Sequence, residues 1–219
     1  MTLDISKEQT IFNHIGNKIN TEDRVINIIA RMEEPLILML GNVLSDEECD
    51  ELIRLSKDKL HRSKIGDTRE INEMRTSSSM FFQENENDTI ARVEKRIATI
   101  MNIPREHGDG IQILKYTPGQ EYKAHFDFFT SKETKNNRIS TLIMYLNDVE
   151  HGGETFFPDL NLSVSPHKGM AVYFEYFYNE REMNERTLHG GAPVIAGEKW
   201  VATQWMRKQK KERFDTFSS

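Results

Sequence analysis

The sequence lacks the features that would send it to several common classes. It holds one cysteine, Cys49, so no internal disulfide can form, and a reducing compartment such as the cytoplasm is the expected location. Apolar runs such as residues 36–40 and 142–146 fall far short of the ~20 residues needed to cross a bilayer, so no membrane span is expected. Asp4, Lys7, Glu8, His14 and Lys18 interrupt the first turns of the chain and leave no signal-peptide core there. With 29 Lys and Arg against 35 Asp and Glu, there is no excess positive charge for a broad face that binds nucleic acid. Only 6 prolines and 12 glycines in 219 residues, with no repeat or low-complexity tract, exclude a fibrous or disordered chain.

What is present can fill a core: 37% of the residues are hydrophobic. The expected organisation is a single domain over residues 1–219. Residues 1–109 are expected to form a helical support with a long loop, 110–206 a β-rich core, and 207–219 a polar tail. Ser45 and Glu48 have capping-box spacing ahead of Cys49, Leu52, Ile53 and Leu60, which predicts a helix opening at Ser45. Ile90, Val93, Ile97 and Ile100 predict a second helix over residues 88–101. After Gly110 the pattern changes to short β-branched and aromatic segments at 111–116, 121–128, 138–146, 155–157, 162–164, 170–174, 187–189 and 199–206. Turn residues separate them, including Pro118-Gly119, Gly152-Gly153 and Gly190-Gly191. This spacing predicts a mainly β fold with supporting helices, a sandwich or barrel with the double-sheet jelly roll as leading candidate, and residues 36–40 extending one sheet. The polar stretches 62–79 and 130–137 read as loops, the first long enough to be a lid or a binding loop.

The tripeptide His125-Phe126-Asp127 carries the chemistry. On a strand, residues i and i+2 share a face, so this imidazole and carboxylate can reach one metal ion while Phe126 packs on the other side. One more histidine completes a two-His, one-carboxylate face that leaves three positions of an octahedral Fe(II) open. His151, His167 and His189 are the downstream candidates; the first two lie in Gly- or Pro-containing turns and read as exposed turn residues. His189 ends a strand-like segment and Lys199 opens the next, so a hairpin between them would bring both into one cavity. Charge accounting gives the lysine a purpose. Fe(II) with one aspartate and two neutral imidazoles carries +1, bound 2-oxoglutarate brings −2, and one further cation makes the site neutral.

The segments ILKYTPGQEYKAHFD, NNRISTLIMYLNDVEHGGETFFP, KGMAVYFEY and TLHGGAPVIAGEKWVATQW resemble the catalytic core of the 2-oxoglutarate- and Fe(II)-dependent dioxygenases. More narrowly they resemble prolyl 4-hydroxylases, the small bacterial ones in particular, and VLSDEECDELI and RTSS extend the likeness upstream. The resemblance implies a double-stranded β-helix core, with His125, Asp127 and His189 as iron ligands. Lys199 would hold the distal carboxylate of 2-oxoglutarate, assisted by Tyr116 and Thr155. Arg138, Tyr122 and Trp205 would lie near the peptide channel, and residues 75–78 on the loop that closes over substrate. It further implies hydroxylation at C4 of peptidyl proline in proline-rich or collagen-like sequences, release of succinate and CO2, and ascorbate as the rescuing reductant.

Each of these residues also has a plain structural reading. Arg138 would form a surface salt bridge, Tyr116 and Tyr122 would pack in strands, Thr155 would bond within a turn, and Trp205 would wedge the core. Two other functions remain in view: the same oxygenase chemistry on a non-proline substrate, and a non-catalytic jelly-roll module that binds metal or peptide. Phe214 and Phe217 in the tail suit either a homodimer interface or a frayed end.

Overall fold

In the computed structural model, which describes residues 10–63, 73–131, 134–176 and 183–210, β-branched and aromatic segments pair as antiparallel strands around two helices. In chain order the elements are β1 (Lys18–Asn20), β2 (Val25–Glu33), β3 (Leu36–Gly41), α1 (Asp46–Ser56), β4 (His61–Arg62), β5 (Ser78–Phe81), α2 (Asp88–Met101), β6 (Gln112–Tyr116), β7 (Tyr122–His125), β8 (Arg138–Tyr145), β9 (His151–Gly152), β10 (Thr155–Phe157), β11 (Leu162–Val164), β12 (Ala171–Glu175), β13 (His189–Gly191), β14 (Val194–Ala196) and β15 (Lys199–Arg207). A large sheet runs β1-β2-β3-β12-β8-β15-β6-β5-β4, and a smaller one β11-β10-β13-β7 faces it; β9 and β14 pair separately. This is the expected jelly roll with supporting helices.

The large sheet is covered on both faces, which is why its central strands read as unbroken apolar runs rather than alternating ones. In β3, Leu36, Leu38 and Leu40 pack with the helices, while Ile37 faces the small sheet. In β12 the same alternation sends Ala171 and Tyr173 one way and Val172 and Phe174 the other. The helix side also holds Cys49 and Leu52 of α1, and Ile90, Val93, Ile97 and Ile100 of α2. The second face, between the sheets, is where the polar cleft forms.

Both capping-box hydrogen bonds at the start of α1 are present: the Glu48 amide donates to Ser45 Oγ at 3.2 Å, and the Ser45 amide to Glu48 Oε2 at 3.0 Å. The helix stops at Ser56, so Leu60 packs from beyond it. The carboxylate of Glu48 has a second task that the cap spacing did not reveal. It accepts from the buried Arg96 of α2 at 2.7 and 2.8 Å, and Arg96 also bonds Asp23 ahead of β2 and the Val43 carbonyl. One guanidinium thus ties together both helices and the outer strands.

Arg96→Ala removes the two shortest hydrogen bonds to buried Glu48 and leaves its carboxylate only Arg92 at 3.2 Å and Arg24 at 3.5 Å as cations, so chemical denaturation should show a loss of about 1–3 kcal/mol. Burial works against the Glu48 charge, but Arg96 holds the carboxyl down at about 2; Arg96 likewise lowers Asp23 to about 2. Carboxyls lowered on folding stabilise above their ordinary values near 4 and lose that contribution as pH falls through about 2. The wild type should therefore lose stability across that window more steeply than Arg96→Ala. Equal slopes would count against this account.

Strands β1, β2, β4, β5, β9 and β14 were not evident in the sequence pattern. Outer strands such as β2 keep a polar, half-exposed face, and β4 and β9 are two residues long. The segment 187–189 is displaced: Thr187 closes a 3₁₀ turn and the strand is His189–Gly191. Gly190-Gly191 reads as a turn but is strand, because a Cβ on Gly190 would meet the Phe156 ring at 2.6 Å and the Tyr122 carbonyl at 2.8 Å. Both ends of the 62–79 stretch pair, Arg62 with Ser78 and Arg75 with Tyr122, while residues 64–72 lie outside the described residues. So do 132–133 of the other loop and the tail beyond 210, with Phe214 and Phe217.

Candidate active site

The small sheet brings the first histidine pair together by register: His125 on β7 lies directly opposite His189 on β13. The strand ends at His125, so Asp127 sits two residues on in the following bend, still within reach. His125 Nε2 is 3.4 Å from Asp127 Oδ1, and His189 Nε2 is 3.4 Å from Asp127 Oδ2. Ligand atoms of the three side chains lie within 4.8 Å of one another. Each Nδ1 is tied to a backbone carbonyl, His125 to Lys123 at 2.9 Å and His189 to Thr187 at 3.0 Å. That bond fixes the ring and leaves Nε2 for a metal, the arrangement usual for histidine ligands.

Asp127 is deeply buried; burial opposes its charge, yet His189 and His125 hold the carboxyl well below the usual range. His125 is lowered, by burial first and then by His189. The site therefore supplies an anionic carboxylate with an imidazole on each side, a donor set that fits Fe(II). Phe126 turns away as expected, stacking on Phe128 with centroids 4.8 Å apart. Among the described residues His151 and His167 are outside the cluster.

Lys199 enters the same cleft from the opposite sheet. The hairpin considered above between His189 and Lys199 is not formed: β13 pairs with β7 and β10, whereas β15 pairs with β6 and β8. The two side chains converge because the sheets face each other. Lys199 is buried, and its Nζ would stand 3.6 Å from a Cβ on Gly191, so the missing side chain there keeps space beside the ammonium. Burial lowers it to about 8, only partly opposed by Glu154. Its near neighbours are the faces of Tyr116 and Tyr145, at 5.6 and 5.9 Å. A buried cation with no ion pair among the described residues is poised for an anion.

The cleft is open; Tyr116, Tyr122, Thr155 and Trp205 line it with the three ligands and Lys199. Thr155 accepts a hydrogen bond from the buried Tyr145 hydroxyl at 2.8 Å, which leaves its own proton free to be donated. Tyr122 stacks on His125 at 3.5 Å and lies under the Arg75 guanidinium at 4.8 Å. Arg138 is the outlier of the sequence-based set. It does not line the cleft but bonds Asp109 at 3.0 Å, contacts the Asp127 carbonyl at 3.4 Å and covers the Trp205 ring at 4.0 Å.

Arg75, which the resemblance places on the loop over substrate, lines the cleft and donates to Gln112 at 2.8 Å. Two polar residues at this site escaped the sequence reading. Tyr145 supports Thr155 from behind. Thr141 donates to Asp127 Oδ2 at 2.7 Å. The signal for both was strand phase: Thr141, Ile143 and Tyr145 share one face of β8, so a hydroxyl there had to meet something inside.

Comparison with known proteins agrees with this geometry. Residues 111–207 match the 2OG-Fe(II) oxygenase superfamily. A probable prolyl 4-hydroxylase of Arabidopsis thaliana is 39% identical over 199 residues, covering 79% of this chain and 69% of that protein. Another is 37% identical over 204 residues, 82% of this chain and 65% of that protein, so the chain spans about two thirds of these plant relatives. A viral collagen prolyl hydroxylase from Paramecium Bursaria Chlorella virus-1, solved with 2OG, superposes with a TM-score of 0.66 at 32% identity, covering 78% of this chain and 95% of that one. With the two histidines, the carboxylate and the buried lysine converging in one cleft, and this identity extending over most of the sequence, the chain belongs to the prolyl 4-hydroxylase family of 2OG-Fe(II) oxygenases.

Proposed function

We propose that this protein hydroxylates C4 of peptidyl proline in proline-rich or collagen-like sequences, with Fe(II) and 2-oxoglutarate as cofactors. The observation that carries the reading is the convergence of His125, Asp127 and His189 with the uncompensated cation of Lys199 across one cleft. Bound Fe(II) and 2-oxoglutarate supply the oxidising chemistry, consuming O2 and releasing succinate and CO2. The chain's part is placement. His125, Asp127 and His189 would hold the metal, and Lys199 would neutralise the distal carboxylate of 2-oxoglutarate. Tyr116 and Thr155 add hydroxyl donors beside it, with Thr155 oriented by Tyr145.

Substrate selection falls to Tyr122, Trp205 and Arg75 at the wall of the cleft, with Arg138 holding Trp205 in place. Among the described residues Trp205 Nε1 and Arg75 Nε are buried donors without a hydrogen-bond partner. Proline-rich segments already populate polyproline II, so they lose little entropy on entering such a groove. The viral relative is itself named a collagen prolyl hydroxylase, which supports this substrate class. Ascorbate would return iron oxidised in uncoupled turnovers to Fe(II). A cytoplasmic location is proposed on the strength of Cys49 being the only cysteine.

The test is anaerobic loading with Fe(II) and 2-oxoglutarate, then exposure to O2 with a Gly-Pro-Pro repeat peptide and a proline-rich library. Mass spectrometry should find succinate and one added oxygen atom on proline. Succinate without an oxidised peptide would remove the substrate assignment, and neither product from iron-loaded protein would remove the oxygenase reading.

A further inference from the structure

We infer that Thr141 is a positioning residue for the metal centre, its hydroxyl fixing the Asp127 carboxylate so that Oδ1 is the oxygen presented to a divalent cation held with His125 and His189. The inference rests on reading those three residues as a metal site.

Thr141 lies in the middle of β8, in the large sheet, and is fully buried. Asp127 belongs to the bend after β7, on the small sheet's side. Their 2.7 Å hydrogen bond is therefore a contact between the two layers. Its direction follows from the chemistry: an ionised carboxylate only accepts, so the threonine proton goes to Oδ2. The other neighbour of Thr141 Oγ1 is the Tyr176 hydroxyl, farther away at 3.5 Å. Tyr176 has its own acceptor in the Ser140 carbonyl at 3.3 Å. The short bond to Asp127 is thus where the Thr141 proton is committed.

The three ligand side chains are held by different means. The imidazoles are oriented by the carbonyls of Lys123 and Thr187, each two residues back along its own chain segment. A carboxylate has no second ring atom to be held by, and its terminal torsion is broad. Thr141 is the hydroxyl that selects one plane for it. By occupying Oδ2 it favours attachment of the cation through Oδ1 alone, and a single carboxylate bond keeps the open face available to incoming ligands. Outer partners of this kind are worth about 10–100-fold in metal affinity.

The test is titration of the metal-free protein with Co(II), without 2-oxoglutarate or peptide, followed by calorimetry and by visible absorption of the bound ion. Thr141→Val keeps the shape and removes the hydroxyl; it should weaken Co(II) binding about 10–100-fold and change the visible bands. Thr141→Ser restores a hydroxyl and should bring both affinity and spectrum back to those of the wild type. Thermal melts of the metal-free variants check folding. If Thr141→Val does not fold, Thr141→Ala against Thr141→Ser makes the same comparison. Thr141→Val binding Co(II) as tightly as the wild type, with the same spectrum, overturns the role of Thr141. Equal losses in Thr141→Val and Thr141→Ser also overturn it, since the effect then belongs to packing. A wild type that binds no Co(II) overturns the underlying metal reading instead.

Discussion

Replacing His189 by alanine is expected to bring proline hydroxylation down to background and to weaken Fe(II) or Co(II) binding by more than about 100-fold. The magnitude has a physical floor: loss of a group that merely orients a ligand costs about 10–100-fold in metal affinity, and loss of the ligand itself must exceed that. His189 sits on β13 directly across from His125, with Nε2 3.4 Å from the Asp127 carboxylate. The alanine leaves two donors and a gap between Phe157 and Phe174, whose rings lie 5.7 and 4.6 Å from the imidazole. Some stability will be lost to that cavity, so the comparison needs a control with the same chemical change at no metal cost. His151→Ala, at a position exposed on β9 and outside the cluster, controls for loss of an imidazole, and thermal melts of the metal-free variants account for the cavity. Calorimetry with Co(II) and mass spectrometry of a proline peptide read the two quantities separately. A His189→Ala protein that hydroxylates like the wild type would remove this residue from the metal site.

The sequence carried the parts of this site that depend on short spacing and much less of what depends on two sheets meeting. His125 and Asp127 are legible because two ligand-type side chains two residues apart stay close along the chain, although Asp127 lies in the bend after β7 and not on the strand that the pattern suggested. The capping box at Ser45 and the apolar stripe of α2 are legible for the same local reason. Lys199 could be selected by charge accounting, but not placed: the hairpin that would have brought it to His189 does not exist, and the facing sheets do that work instead. Gly190-Gly191 misled because glycine signals a turn as readily as a tight approach between strands. Thr141 and Arg96 were invisible for a shared reason. Each looks ordinary in its own element, a threonine in a strand and an arginine in a helix, and gains its meaning from a carboxylate contributed by a distant segment. Arg138 shows the converse, a residue picked out by resemblance that does not line the cleft, bonds Asp109 and the Asp127 carbonyl, and covers the Trp205 ring.

Lys199→Met should have opposite effects on the empty protein and on its cofactor. In the cofactor-free state burial lowers the Lys199 ammonium to about 8, below its ordinary value near 10.4. A cation lowered on folding costs stability that is fully felt below pH 8 and is recovered as pH rises toward the ordinary value, because the unfolded chain then holds the proton that the folded one has shed. Methionine keeps the length of the side chain and removes this penalty, so the variant should be more stable than the wild type at pH 7 by a few kcal/mol at most. Binding of 2-oxoglutarate should move the other way. Its distal carboxylate would meet the faces of Tyr116 and Tyr145 with no cation beside them. Leaving one partner of a buried pair uncompensated costs about 3–5 kcal/mol, which is roughly two to three and a half decades in affinity. The wild type should itself bind 2-oxoglutarate less tightly above pH 8, by up to about tenfold per unit, as more of the lysine must be protonated to receive it. That slope should be absent in Lys199→Met. Thermal melts across pH 7–10 and calorimetric titration with 2-oxoglutarate over the same range read both effects. A variant that keeps wild-type affinity and the same pH slope would show that the dianion is held elsewhere, and would take from Lys199 the role that its burial without a counter-ion implies.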